Sequence, residues 1–355
     1  MTILNRVAAA RPGTSGRHSR LLTIEILVLV LFALMPLVLV LIWGEDDSFF
    51  WVVFTTKVML LSFLALSFDL AWGYAGLMSF GQALFFGGSG YVVAVMSRDL
   101  GISSVFIIVP MGTLVGLILA ALLGAFLLSG SKTPSIIFIA FGTLTGSYAA
   151  ERLARAWYYL GGQNGVSVSK AMTIGDMPLY EGFGFYYLAL GFLLIVYIGC
   201  RFLVRSQFGL VLAGIREREE RIAFLGYRVQ LTRALVFALS GAIAGLGGGL
   251  YAFHEGFVWP ALMGPLTSTQ AILYGLFGGV STLIGPIIGV SGIEFATIIL
   301  IDYLRDYWII ILGFLLLLVI MFRPTGLVGL LVSERERIGT FGRPGVDRKS
   351  DTRGD

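Results

Sequence analysis

Few residues of this chain have the types and spacings that could do chemistry. Gly130-Ser131-Lys132-Thr133 sets a lysine beside hydroxyls, as phosphate-binding loops do, but glycine is not adjacent to the lysine and the upstream glycine spacing is wrong. The chain is therefore not expected to hydrolyse ATP. His254-Glu255 lacks the second histidine, three residues on, that a zinc protease needs. His18 and His254 are too few for a multi-histidine metal site, and the lone Cys200 permits no intramolecular disulfide. No Ser, His and Asp set falls on neighbouring apolar runs, so neither catalytic nor metal-binding residues are assigned. What remains is a pair of carboxylates inside apolar runs, Asp69 and Glu294. A charge in lipid costs about 3 kcal/mol or more, so each must face protein or a water-filled path. For Asp69, a place on a translocation path and a hydrogen-bonded place near a helix end stand level; Glu294 leans to the structural reading.

The elements that must position these residues follow from composition. Of 355 residues, 57% are hydrophobic and 13% charged. A soluble domain carries about 25% charged residues, so this chain is too poor in charge to cover a water-facing surface. Mean hydropathy is +0.89. A soluble enzyme, a secreted domain and a disordered protein are excluded, leaving an all-α polytopic membrane protein. The net charge of +4 is too small for nucleic-acid binding, and basic loops on one side of a membrane explain it better.

Apolar runs bounded by charges or by Gly and Pro divide the chain into about ten transmembrane helices: 21–43, 49–71, 82–97, 105–129, 135–156, 185–204, 231–253, 266–284, 286–303 and 307–322. The first follows Arg6, Arg11, Arg17 and Arg20 as a signal peptide would, but it is too long and lacks a small-residue cleavage site. It reads as a retained helix. The third run is short and glycine-rich, which suggests a broken or re-entrant helix. The eighth and ninth meet at Gly285-Pro286 with almost no loop. Residues 1–20 form a basic tail, 21–330 the membrane domain, and 331–355 a polar tail that reads as disordered.

Basic residues set the orientation. The N-terminal tail is basic, residues 201–233 hold seven arginines, and the stretch after Met321 holds seven Lys or Arg. Ten crossings put all three in the cytoplasm, as the positive-inside rule requires. Residues 157–184, with Gly161-Gly162-Gln163-Asn164-Gly165, then lie outside. Residues 205–230 lie inside and read as a short amphipathic helix, with Ile215, Ile222, Ala223 and Leu225 among charges. Such a helix offers apolar knobs to a partner, or else lies on anionic headgroups.

Glycines carry two further patterns. Gly241, Gly245 and Gly249, four apart, make a close-packing face on the seventh run. Gly73, Gly76, Gly81, Gly87 and Gly90 resemble Gly278, Gly279, Gly285, Gly289 and Gly292, as in transporters built from duplicated halves.

The stretch from Gly73 through Tyr74-Ala75-Gly76-Leu77-Met78-Ser79-Phe80-Gly81-Gln82 to Gly87 resembles a signature of the M-type permease subunits of branched-chain amino acid ABC importers. The resemblance continues at Gly161–Gly165, at Ser206-Gln207-Phe208-Gly209 with Ala213-Gly214-Ile215-Arg216-Glu217, and at Phe224-Leu225-Gly226-Tyr227. It ends at Gly278-Gly279, Thr282-Leu283, Gly285-Pro286 and Phe322-Arg323-Pro324-Thr325-Gly326-Leu327, covering about residues 50 to 330.

This resemblance implies an ABC importer permease fold in a bacterial inner membrane, both termini cytoplasmic. Its partners would be a homologous H-type permease, two ATP-binding cassette subunits and a periplasmic substrate-binding protein. ATP would be the cofactor of the partner ATPases, with none in this chain. Asp69, Tyr74, Ser79, Gln82 and Asn164 would line the translocation path. The 205–230 segment would be the coupling loop to the ATPase, through Arg216, Glu217, Glu220, Leu225 and Gly226. The family commonly has asparagine at the place of Asp69 and histidine at that of Gln82. Urea-type permeases share a run like 69–76 and one like 221–227, which makes urea or short amides the alternative cargo. A proton-coupled secondary transporter, with Asp69 and Glu294 as relay carboxylates, is the rival from another class.

Overall fold

The structure, a computed structural model, describes residues 20–128, 135–175 and 177–303, and then 307, 310–311, 313–314, 317, 321 and 326–328. Both expected tails, apart from Arg20, and most of the tenth apolar run lie outside these residues.

Helices dominate because an apolar chain in lipid must satisfy its own backbone. A helical run over Arg20–Phe68 breaks at Gly44 (φ 80°, ψ 178°), a conformation open to glycine. The break separates α1 (Leu22–Ile42) from α2 (Ser48–Tyr74), whose last turn, Asp69–Tyr74, widens into a π-helix. There follow α3 (Gln82–Leu100), α4 (Val105–Leu128), α5 (Ile136–Ala156), α6 (Phe183–Arg205), α7 (Gln207–Phe224), α8 (Val229–Glu255), α9 (Pro265–Gly278) and α10 (Ile284–Tyr303). Among the described residues, six helices are long and apolar enough to cross a membrane: α1, α2, α4, α6, α8 and α10. With its 14 residues, α9 rises about 21 Å, short of a ~30 Å hydrocarbon layer.

Three expectations need correction. The third run is not broken: α3 is continuous from Gln82 to Leu100, and the irregular chain lies before it, at 75–81. The boundary between the eighth and ninth runs is not Gly285-Pro286 but the turn at 279–283. Pro286 sits in the first turn of α10, where a missing N–H removes no helical hydrogen bond. Nor is the chain wholly α. The 157–184 segment contributes β1 (Val166–Ser167), paired with β4 (Phe257–Val258) after α8, and the hairpin of β2 (Met172–Ile174) with β3 (Met177–Leu179). These ribbons close the end of the bundle opposite α7.

The buried centre forms around α8, which packs along α4, α3 and α2. Three sides of α8 are glycine. Towards α4, a Cβ on Gly245 would lie 2.7 Å from the Gly116 Cα, and Gly241 meets Gly116 and Ala120. Gly249 faces Gly112 at ordinary contact distance. Towards α3, a Cβ on Gly248 would lie 2.9 Å from the Phe86 Cα; towards α2, one on Gly247 would lie 2.5 Å from the Phe63 Cβ. Without side chains in the way, backbones approach closely and dispersion contacts multiply, the main source of helix association in lipid. Ser89 of α3 joins the packing by donating to the carbonyls of Gly245 (2.6 Å) and Gly112 (3.1 Å).

Gly245→Leu should therefore destabilise the bundle by about 3 kcal/mol, the upper range for overpacking. A thermal-aggregation midpoint in detergent would read this as a large drop. Gly191→Leu on α6, where a Cβ meets nothing within 4 Å, should leave the midpoint unchanged.

Candidate functional site

The polar residues of the bundle gather where the chain leaves helical geometry. At the end of α2 the π-turn and Gly76 (φ 70°) reverse the chain. The turn is held locally by Gly76 N–H to the Trp72 carbonyl (3.1 Å) and Leu77 N–H to the Ala71 carbonyl (2.9 Å). Residues 75–81 then run back into the protein to start α3. A second irregular stretch, 256–264, descends from the β-ribbon end, so α9 begins inside the bundle.

Neighbouring hydroxyls and one carboxylate repair the backbone of these segments. Thr143 of α5 accepts from Phe80 N–H (3.0 Å), and Ser147, one turn on, donates to the Met263 carbonyl (2.5 Å). Ser268 of α9 accepts from Ala83 N–H (3.2 Å), which ties the starts of α3 and α9 together. Glu151, the next turn of α5, lies against Gly264 at the start of α9 and accepts two hydrogen bonds from Arg155 (2.9 and 2.6 Å). A carboxylate there suits the positive end of the α9 dipole. Thr143, Ser147 and Glu151 thus form one column on α5, at a spacing of four. The opposite face of α5 is exposed and also polar: Thr145, Tyr148 and Arg152, with the Arg152 Nε donating to the Tyr148 hydroxyl (2.9 Å).

At the α7 end, three segments converge on Ser281. Its backbone is left-handed (φ 67°), rare for a residue with a side chain. Its N–H donates to Asp69 Oδ1 (2.6 Å), and its hydroxyl donates to the Gly73 carbonyl (2.8 Å). The Arg216 guanidinium of α7 donates to the same Gly73 carbonyl and to the Ser281 hydroxyl (2.6 Å). Gly73 is fixed as glycine, because the Asp69 carboxylate and the Ser281 backbone occupy the space of a Cβ. Tyr74 accepts a long hydrogen bond from Leu283 N–H (3.4 Å). The glycine-rich stretches at 73–81 and 278–285 therefore touch, through Asp69, Gly73 and Ser281.

Of the residues expected on a path, Asp69, Tyr74, Ser79 and Gln82 lie along this one reversed stretch, all buried. Ser79 accepts from Gly81 N–H (3.0 Å) and Gln82 accepts from the Ser67 hydroxyl (3.1 Å). Asn164 is not with them. It is exposed, in a short 3-10 turn at the opposite end. Glu294 accepts from the Tyr274 hydroxyl, between α9 and α10. Gly241, Gly245 and Gly249 face α4. At the β-ribbon end, Arg98 and the Tyr159 hydroxyl bond to the exposed Asp99 carboxylate and hold its pKa down at about 2. A depressed carboxylate pKa means that this staple acts above the ordinary value and fades only as pH falls towards 2.

The coupling candidates separate in space. α7 is bent at Arg218 (φ −153°, ψ 89°). Before the bend, Gly209, Leu212 and Ile215 are buried against the bundle, while Arg216 is exposed to solvent yet reaches the Gly73 carbonyl and the Ser281 hydroxyl with its guanidinium. After it, Glu220, Leu225 and Gly226 are exposed, as is Glu217 just before it; Phe224 is 91% exposed and Leu225 72%. Gly226 (φ 89°) turns the chain toward α8. Sequence reading passed over Ser281, Thr143, Ser147, Glu151 and Ser268. A hydroxyl inside an apolar run, and Glu151 four before Arg155, were the available signals.

Among known proteins, the family described as "Branched-chain amino acid transport system / permease component" matches residues 51–320. The chain belongs to this family. Relatives include the high-affinity branched-chain amino acid transport system permease protein LivM of Salmonella typhimurium and that of Escherichia coli. Each is 24% identical over 323 residues, covering 84% of this chain and 74% of LivM. The autoinducer 2 import system permease protein LsrC of an Enterobacter species is 29% identical over 231 residues, 59% of this chain and 63% of LsrC. No solved structure matches the chain significantly. The chain is thus an M-type permease of the branched-chain ABC importer family, a multi-pass membrane protein.

Asp69→Leu should leave the buried Ser281 N–H without its acceptor, a loss of about 2 kcal/mol for an unsatisfied buried donor. Asp69→Asn keeps an acceptor oxygen and should cost under about 1 kcal/mol. Thermal unfolding of the detergent-solubilised protein checks the order of the two variants.

Proposed function

We propose that this chain is a membrane subunit of an ATP-driven importer for branched-chain or other apolar amino acids, itself performing no chemistry. A homologous H-type permease, two ATP-binding cassette subunits and a substrate-binding protein would complete the assembly, with the α7 end and both termini in the cytoplasm. The observation that carries this reading is the exposed tip of α7. Phe224, Leu225 and Tyr227 are exposed among Arg218, Glu220, Arg221 and Arg228. So many charges keep the segment out of hydrocarbon, while bare aromatic and aliphatic knobs mark a protein-binding surface. An ATPase is the partner that the family membership supports.

The exposed polar face of α5 supports a second permease subunit. Arg152 and Tyr148 on a helix within a lipid-embedded bundle need water or protein beside them. An interface between two permeases, with a hydrated path along it, supplies both. Asp69, Tyr74, Ser79 and Gln82 would then act by shaping the reversed stretch at the inner end of that path; Asn164 would lie at its outer mouth. The names of the LivM relatives support the cargo. ATP closure of the ATPases would press on the α7 tips and turn the helices outward. Substrate would enter from the binding protein and leave inward on reopening, driven by different affinities of the two states.

Reconstituted with its partner subunits in proteoliposomes, the chain should take up labelled leucine only when ATP is supplied. Uptake of urea but not leucine would reassign the cargo to short amides. Uptake by this chain alone, driven by a pH gradient, would sink the importer reading. The paired change Phe224→Asp and Leu225→Asp should cut ATPase co-purification about tenfold or more, as loss of an apolar hot spot does.

A further inference from the structure

The resemblance placed Arg216 among the residues that would touch the ATPase; its side chain is exposed, yet its guanidinium reaches the Gly73 carbonyl and the Ser281 hydroxyl of the bundle. We propose that Arg216 is a positioning residue for transport: it latches the ATPase-docking helix onto the two turns at which the helical bundle is broken, 75–81 and 279–283. This inference rests on the importer reading and deepens it.

The contacts make the latch specific. The Gly73 carbonyl, at the end of the π-turn, has no backbone partner in the reversed chain that follows. It receives instead the Arg216 guanidinium and the Ser281 hydroxyl. A cation at a helix C-terminus also meets the negative end of the helix dipole. The same guanidinium donates to the Ser281 hydroxyl (2.6 Å), and Ser281 is held in its left-handed conformation by Asp69 (2.6 Å). One side chain of α7 thereby touches the end of α2 and the turn between α9 and α10. The Arg216 stem also lies over Gly76, which would place a Cβ 3.5 Å from the Arg216 Cγ.

The bend in α7 gives the latch something to transmit. Arg216 stands two residues before Arg218, where the helix breaks, and the exposed tip lies beyond it. The two halves fold over one another at Gly214, where a Cβ would come within 3.0 Å of the Ile222 Cγ1. The far half is tied to the start of α8 by Glu219 and Arg233 (2.7 Å). A force on the tip is thus shared between two charged contacts on either side of the bend. One leads to α8, and the other leads through Arg216 to the broken turns. A cavity of about 560 Å³ lies beside Arg216, bounded by Leu77 and the first turn of α5. It gives the guanidinium room to swing when the tip moves.

The test uses the complete transporter in proteoliposomes, with three readouts: ATPase retained on the membrane subunits, substrate taken up, and ATP hydrolysed per substrate moved. Arg216→Ala should keep the ATPase bound and ATP turnover near the original. Uptake should fall, and the ATP cost per substrate should rise, by about tenfold, a typical size for a broken coupling. Arg216→Lys, which keeps the charge but not the fork, should fall between. Ser281→Gly accepts the left-handed turn and removes only the hydroxyl; it should shift the ratio in the same direction by less. The double variant should be no worse than Arg216→Ala. An unchanged ratio in Arg216→Ala would overturn the latch, and loss of the ATPase from that variant would make Arg216 a docking contact instead. If Arg216→Ala does not assemble, Ser281→Gly decides: a normal ratio there refutes the proposal. Failure of the unaltered chain to carry an ATPase would remove the importer reading, and the latch with it, before any variant is made.

Discussion

Lipid offers no hydrogen bond, so every backbone group released from a helix inside this bundle must be answered by protein. That constraint arranges most of the polar residues. The chain leaves helical geometry at 75–81, before α9 and at 279–283, and at each place a side chain from elsewhere substitutes for the lost ladder. Thr143 serves Phe80, Ser147 serves Met263, Ser268 serves Ala83 and Asp69 serves Ser281. The polar column on α5 has the spacing of a helix face because it runs past two of these breaks in turn. A break in a membrane helix is costly unless its repair is built in. Here the repairs come from different helices, so the breaks also tie those helices together.

Glycine serves two separate ends in the same bundle. On α8 it removes bulk, letting α4, α3 and α2 press closely against one helix. At Gly73 it leaves the room that the Asp69 carboxylate fills, and at Gly76 it accepts a left-handed backbone (φ 70°) beneath the Arg216 stem. The first use makes a tightly packed centre around α8. The second makes a thin, hydrogen-bonded seam between α2, α7 and the α9–α10 turn. A seam held by a few polar contacts can change partners at lower cost than a packed glycine face, which sets where motion is cheapest.

The apolar runs were legible in the sequence because length and hydropathy are local properties; the run 105–129, for example, is α4 to within a residue. The breaks were not. Glycines in the third run suggested a weak helix, yet Gly87 and Gly90 are there to admit Met263 and the Gly248 carbonyl, and α3 is continuous. Gly285-Pro286 carries the composition of a turn, but the turn is at Ser281, whose left-handed backbone depends on Asp69, distant in the chain. No local pattern can announce a conformation that long-range hydrogen bonds impose. The same holds for Arg216. Its place in a charged, amphipathic segment pointed outward, and only the fold reveals the carbonyl of Gly73 within its reach. The family was legible all the same, since its signature lies in the glycine and aromatic residues that these turns require.

A negative charge at Asp69 is awkward on a route for a carboxylate-bearing cargo. In the folded chain it is fully buried, with one oxygen given to Ser281 N–H and the Arg216 guanidinium on the far side of the same serine. It holds the turn at Ser281, a role that the oxygen of the more common asparagine could also fill. A cargo can be discriminated only by groups it meets. In the importer proposed here, exposed side chains such as Thr145, Tyr148 and Arg152 of α5 would be groups of that kind. On that reading, comparison of permeases by cargo would centre on this face as well as on the motif by which the family is recognised.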